Sequence, residues 1–164
     1  MCLLLNMKPD NYMSENKVDI LSDFFIRDYK PEDFEEINLL WESTGVGGSH
    51  RGDTAEVISN TLKNGGQFFV LEQISDNKIA GTAWLTNDSR RIYLHHFCIN
   101  TSFQGKGLSH YLCEKCTNFA RSLNMQIKLE VHKDNQKAVR LYTKAGFTYL
   151  GDYHVYIIRD ISTL

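Results

Sequence analysis

Apolar positions in this chain recur at two distinct periods, and the changes from one to the other divide it into alternating strands and helices. The run at 24–26, Phe24-Phe25-Ile26, suits a strand, and Pro31 then falls where a first helical turn tolerates a missing amide. Within 32–42, Phe34, Ile37, Leu40 and Trp41 recur at three- and four-residue steps, the spacing of one buried helical stripe. Glu32, Asp33, Glu35 and Glu36 complement the N-terminal end of that helix and read as a solvated face. Gly45-Val46-Gly47-Gly48 breaks the pattern as a loop. Asp53 is expected to cap a second helix reaching Lys63, with Val57, Ile58 and Leu62 inward, before Asn64-Gly65-Gly66 ends it.

Three strands are predicted next, at 67–73, 78–86 and 90–99, and the short turns at 75–77 and 87–89 make them antiparallel neighbours. The segment 105–123 is a long amphipathic helix carrying Leu108, Tyr111, Leu112, Cys116, Phe119, Ala120 and Leu123. A strand at 126–132 follows, and the crossover through the helix sets it parallel to the strand before. A last helix at 135–145 stops at Gly146, and 147–150 with 153–158, joined at Gly151-Asp152, predict a closing hairpin. The expected fold class is mixed α/β, with helices on both faces of a mixed sheet.

Composition narrows the possibilities. The 164 residues suit one domain, expected over 23–164, with 1–22 as a flexible leader or an over-long translation start. Eighteen basic against twenty acidic residues, a net charge of -2, supply no global field for nucleic acid or an anionic membrane. The apolar opening Met1-Cys2-Leu3-Leu4-Leu5 is too short for a signal peptide or a span. Four scattered cysteines, Cys2, Cys98, Cys113 and Cys116, read as free thiols of a reducing compartment, so a cytoplasmic location is expected. Cys113 and Cys116 lack the second pair that a zinc site needs, and no metal is expected.

The chemistry concentrates at Gln104-Gly105-Lys106-Gly107-Leu108-Ser109, between a strand and a long helix. Two glycines permit a tight turn, several amides point at one anion, and the helix end and Lys106 add positive charge. A pyrophosphate fits such a cradle. The spacing matches neither the phosphate-binding nucleotide loop nor the three-glycine dinucleotide turn, and by itself it also fits a plain helix cap.

This segment resembles the Gln/Arg-x-x-Gly-x-Gly/Ala acyl-CoA motif of the GNAT acetyltransferase superfamily, with Ser109 in place of the last small residue. The stretch Asn135-Gln136-Lys137-Ala138-Val139-Arg140-Leu141-Tyr142-Thr143-Lys144-Ala145-Gly146-Phe147 is similar to that family's Asn-x-x-Ala-x-x-Leu-Tyr-x-x-x-Gly-Phe at every fixed position. The resemblance implies a sheet of six to seven strands with a splayed pair of central parallel strands. It also implies acetyl-CoA as co-substrate and transfer to a primary amine by direct attack in a ternary complex. Phe97, Cys98 and Ile99 would flank the pantetheine arm, Gln104 to Ser109 the diphosphate, and Asn135, Ala138 and Tyr142 the remaining cofactor contacts.

The same resemblance places Tyr142 at the position of the general acid; packing within its helix is the other reading of that residue. Tyr93 stands where many members have glutamate. Counting by twos from Phe97 puts His95 and Tyr93 on one strand face and His96 on the other, in a core role or a supporting role behind the site rather than in catalysis. His95 is the candidate base, with water as the alternative, and Tyr93, His95 and Trp84 are candidate acceptor contacts, beside Trp41 and Tyr153. Cys98 as a nucleophile, Glu130 and His132 as acceptor contacts, and His50-Arg51-Gly52-Asp53 as a polar acceptor loop complete the candidates. A small-molecule or peptide amine is the expected partner, in a monomer or homodimer. A protein N-terminal or lysine acetyltransferase and a non-catalytic acyl-CoA-binding regulator are the alternatives.

Overall fold

The structure, a computed structural model, describes residues 21–151 and 154–163. Nearly all of the expected leader and the turn residues Asp152 and Tyr153 lie outside the described residues. Five strands, β1 (Phe24–Asp28), β2 (Gln67–Gln73), β3 (Ile79–Asn87), β4 (Arg91–Ile99) and β5 (Gln126–Leu129), form one sheet in sequence order. The first four are antiparallel, and β5 runs parallel to β4 after the crossover through helix α3 (Leu108–Ser122). Helices α1 (Phe34–Thr44) and α2 (Ala55–Lys63) precede β2, and α4 (Gln136–Lys144) follows β5.

The two faces of the sheet carry separate cores. On one, Ile37, Leu40 and Trp41 of α1 and Ile58 of α2 pack on Phe68, Val70, Ile79, Trp84 and Cys98. On the other, Leu108, Leu112, Cys113, Cys116 and Ala120 of α3, with Leu141 and Tyr142 of α4, cover Phe69, Leu71, Ala83, Leu85, Ile92 and Leu94. Alternation along β2 to β4 supplies both faces, because each strand is covered on both sides. Among the described residues no helix is long and apolar enough to cross a membrane.

Several expectations change. Thr54, not Asp53, caps α2 by accepting from the Val57 amide, and Asp53 turns inward instead. Val57 is exposed while Ile58 is buried and Leu62 packs against the same core, so the inner stripe runs through Ile58 and Leu62. The acidic cluster of the first helix is only partly a solvated face. Asp33 is buried, where it accepts two bonds from the Arg27 guanidinium, and Glu36 Oε1 accepts from the Ile79 amide.

β5 ends at Leu129 rather than His132, and the described parts of 147–158 form no strand. Tyr149, Val155, Tyr156, Ile157 and Ile158 are exposed, so neither pleat face of the segment is buried to fix a register. The described sheet therefore has five strands rather than six or seven, within the expected mixed architecture.

The splay is present. The parallel ladder runs from Arg91↔Gln126 to Leu94↔Leu129 and stops, while β4 continues through His95, His96, Phe97, Cys98 and Ile99. Among the described residues that half of β4 has no strand neighbour on its β5 side, which leaves an internal edge.

Candidate active site

The cradle lies directly beyond the free half of β4. Thr101–Phe103 makes one 3-10 turn, and Gly107 starts α3 with φ +83°, a left-handed conformation that a side chain resists. The amides of Gly105, Lys106, Gly107, Leu108 and Ser109 have no acceptor among the described residues, and no side chain caps the helix. Five unpaired donors thus stand at the positive end of a 15-residue helix. Gln104 Nε2 donates to the Ile99 carbonyl at 3.0 Å, which ties the turn to the strand end. Lys106 leans over the Phe103 ring, 5.4 Å from its centre.

Beside the cradle, an open cavity of about 220 Å³ between α3 and α4 is lined by Ser109, His110, Lys137, Arg140, Leu141 and Lys144. The three cations at i, i+3 and i+7 on α4 share one face, next to the free amides. The donor set fits a polyphosphate: amides for its oxygens and cations for its charge. Asn135 is occupied as the N-cap of α4, accepting from the Ala138 amide at 3.1 Å, and Ala138 packs on the core.

Tyr142 is buried, with its ring edge-on to Phe97 and Phe147. Burial, reinforced by the thiols of Cys113, Cys116 and Cys98, raises its phenol well above the ordinary range, so it stays protonated at neutral pH. Its hydroxyl has no hydrogen-bond partner among the described residues. Cys98 lies on the opposite face from Tyr142's neighbour Phe97. Burial also raises its thiol, and its sulfur packs 3.4 Å from Thr82 Oγ1. Cys113 and Cys116 are buried in α3, where desolvation pushes Cys113 up to about 11 and raises Cys116 as well.

The expected acceptor contacts are rearranged by a bulge. Thr82 pairs with Cys98 and Trp84 with His95, so His96 and Phe97 together oppose Ala83. His96 takes φ +44°, and counting by twos fails there. Tyr93 and His95 do share a face, but Phe97 points to the α3 side, and His96 joins His95 on the α1 side. His96 lies against Trp41 and Trp84, with ring centres at 4.5 and 5.1 Å. Thr82 Oγ1 pins the bulge by accepting from Trp41 Nε1 and donating to the His96 carbonyl, both at 3.0 Å.

His95 stacks on Tyr93 at 4.2 Å and bonds Thr86 Oγ1 through Nε2 at 2.9 Å. Burial and then the neighbouring His96 push it down to about 4, which makes it a neutral imidazole near pH 7. Tyr93 is raised by burial and by the Glu130 carboxylate. Trp84 is buried and stacks on Trp41 at 5.8 Å, as part of the core under this face. His132 is largely exposed and faces Asp134, and Glu130 sits just past β5 near Lys128. His50 and Arg51 form a 3-10 turn, with Ser49 held by Asn38.

A sequence model of the acetyltransferase (GNAT) family matches residues 19–147, the span that holds the cradle, the splayed strands and α4. The chain belongs to the GNAT acetyltransferase family. It is therefore an acyltransferase. Solved structures show the same fold. An acetyltransferase from Streptococcus agalactiae is 20% identical with a TM-score of 0.68, over 83% of this chain and 92% of that one. Glucosamine-6-phosphate N-acetyltransferase from Arabidopsis thaliana is 19% identical with a TM-score of 0.64, over 84% and 98%. A predicted acetyltransferase with acetyl-CoA from Clostridium acetobutylicum is 16% identical with a TM-score of 0.64, over 82% and 96%.

Within this GNAT chain, the fold brings Phe97, Ile99, the cradle and Tyr142 around one end of β4, and sets Tyr93, His95 and Trp84 on the face beyond it. Sequence reasoning missed the pairing of Asp53 with His96, whose Oδ2 and Nε2 are 2.9 Å apart across 43 residues of chain. No local pattern encodes it. The α4 cations were visible only as unassigned residues of the second motif, because their common face emerges once the helix is docked.

Proposed function

We propose that this GNAT enzyme transfers the acetyl group of acetyl-CoA to a primary amine by direct attack in a ternary complex. The observation that carries the reading is the row of five unpaired amides at Gly105 to Ser109, adjoining the unpaired half of β4. Gln104, Gly105, Lys106, Gly107, Leu108 and Ser109 hold the diphosphate, with Lys137, Arg140 and Lys144 on its charged flank. The free edge of Phe97, Cys98 and Ile99 accepts the amide-bearing pantetheine arm as an added strand would be accepted. Asn135 and Ala138 fix the start of α4, and so the place of Tyr142.

Acyl transfer to an amine requires a neutral nucleophile, a polarised carbonyl and a proton for the departing sulfur. The protonated phenol of Tyr142 supplies that proton. Tyr93 and His95 line the acceptor side over Trp84, His95 as a neutral hydrogen-bonding group. The buried, protonated Cys98 favours direct transfer over an acyl-enzyme.

Calorimetry with coenzyme A, followed by mass spectrometry of products formed from acetyl-CoA and cell extract, tests the reading. Heat of binding and an added acetyl group on an amine are expected, with intersecting initial-rate lines once the acceptor is known. Absence of coenzyme A binding by the folded protein overturns it.

A further inference from the structure

We infer that Asp53 and His96 form the proton-accepting pair on the acceptor side, with His96 Nδ1 as the atom that takes a proton from the incoming amine and Asp53 as the positioning residue. The inference rests on the transfer reaction proposed above and deepens it.

His96 Nε2 lies 2.9 Å from Asp53 Oδ2, and the same oxygen accepts from the Gly48 amide at 3.0 Å. A carboxylate accepts only, so Nε2 carries the hydrogen and Nδ1 is left with its lone pair. Asp53 thereby fixes the tautomer and stabilises the imidazolium that forms when Nδ1 is protonated. The ring is tightly lodged: a Cβ added to Gly47 would come within 2.2 Å of the imidazole, so only glycine allows the loop to close over it.

Nδ1 is buried and has no partner among the described residues. Trp84 Nε1, on the adjoining ring, is in the same condition. Leaving such groups unpaired is unfavourable, and so is the left-handed backbone of His96. The orphaned nitrogen and the left-handed residue both fall at His96, two residues beyond Leu94, where the ladder to β5 ends. The unpaired donor of Trp84 and the unpaired acceptor of His96, on adjoining rings, match a guest that presents both, as an amine-bearing molecule does.

The groups around His96 leave it this role. Asp53 arrives from the loop before α2, and His95 and Cys98 flank it on β4. Trp41 of α1 and Trp84 and Thr82 of β3 carry no charge. Glu130, past β5, faces Tyr93 and His95. His95 already spends Nε2 on Thr86 and resists protonation, and Cys98 holds its proton.

The ammonium gives one proton to Nδ1, and the freed pair on nitrogen attacks the thioester carbon as its C–S bond breaks. Of the three original N–H protons, one stays on the amide, one replaces the proton that Tyr142 gives to the thiolate, and one leaves through His96 to solvent.

Nuclear magnetic resonance of the full chain labelled with nitrogen-15 histidine reads the tautomer without any acceptor. A hydrogen on Nε2 and a bare Nδ1 are expected for His96, and a mixed tautomer in Asp53→Asn. Thiol release from acetyl-CoA is then measured with phenethylamine, spermidine and a short peptide with a free α-amine. His96→Asn suits the left-handed backbone and is expected to lower kcat on the order of 100-fold with unchanged coenzyme A affinity. Asp53→Asn is expected to lower kcat with unchanged coenzyme A affinity alongside the mixed tautomer, which loss of packing alone would not produce.

A wild type that fails to bind coenzyme A sinks the transfer reaction and the pair with it. Hydrogen on Nδ1, wild-type turnover in His96→Asn, or coenzyme A binding without thiol release to any of the three amines overturns the pair and leaves the cofactor site standing.

Discussion

The ring of Tyr142 meets the ring of Phe97 edge-on, with centres 5.9 Å apart and planes at 71°. The contact joins α4 to the half of β4 that has lost its β5 neighbour, and so places a protonated phenol beside the free strand edge. Aromatic edge-to-face packing adds about 0.5–1.5 kcal/mol beyond burial, enough to hold the ring in one orientation.

Replacing Tyr142 by phenylalanine keeps that packing and removes only the hydroxyl. Turnover is expected to fall on the order of 100-fold, the scale of one lost acid, while calorimetric affinity for coenzyme A is preserved. Unchanged turnover would remove Tyr142 from the reaction.

The cations of α4 make a different prediction. Replacing Arg140 and Lys144 together by glutamine is expected to weaken coenzyme A binding about tenfold or more at low salt, with little effect on thermal stability, because both side chains are exposed. The slope of affinity against salt concentration should flatten in the same variant. An unaltered slope would show that the cavity between α3 and α4 does not receive the phosphates.

Arg27 bridges two buried carboxylates, Asp33 at 2.7 and 2.8 Å and Glu72 at 2.5 Å, and thereby ties β1 to β2 and to the entry of α1. Burial pushes Asp33 up, but the Arg27 and Lys30 hydrogen bonds outweigh it and hold the carboxyl below its usual range. Arg27→Ala leaves both carboxylates uncompensated and is expected to cost about 3–5 kcal/mol in urea unfolding. Arg27→Met with Asp33→Asn and Glu72→Gln should recover much of the loss, since no charge then stays buried.

His95 sets part of the acid sensitivity. Its folded pKa, about 4, lies below the unfolded value of roughly 6.5, so between those values the unfolded chain binds the extra proton. Stability from this group is complete above the upper value and is lost as pH falls toward the lower one. After allowance for solvent screening the loss is on the order of 1 kcal/mol. Melting temperatures of wild type and His95→Gln from pH 7.5 to 4 should show a smaller acid decline in the variant, and parallel curves would refute the assignment.

The sequence alone determined the order of elements and the cradle, because both follow from local spacing. Apolar residues at helical steps gave α1 and α3 their buried stripes, turn residues separated β2, β3 and β4, and Gly105 and Gly107 marked the turn before α3. A bulge, by contrast, is one residue's change of backbone hand, and the letters of β4 do not announce it. It alone decided that His96 faces Trp41 and Trp84 while Phe97 turns to Tyr142. Only the tertiary structure joined Asp53 to His96 and Arg27 to Glu72, since such pairs are set by sheet register and helix docking across more than forty residues. Local propensity is a short-range energy and fixes the elements. The chemistry of an acceptor site depends on groups brought together by packing, which the chain order does not record.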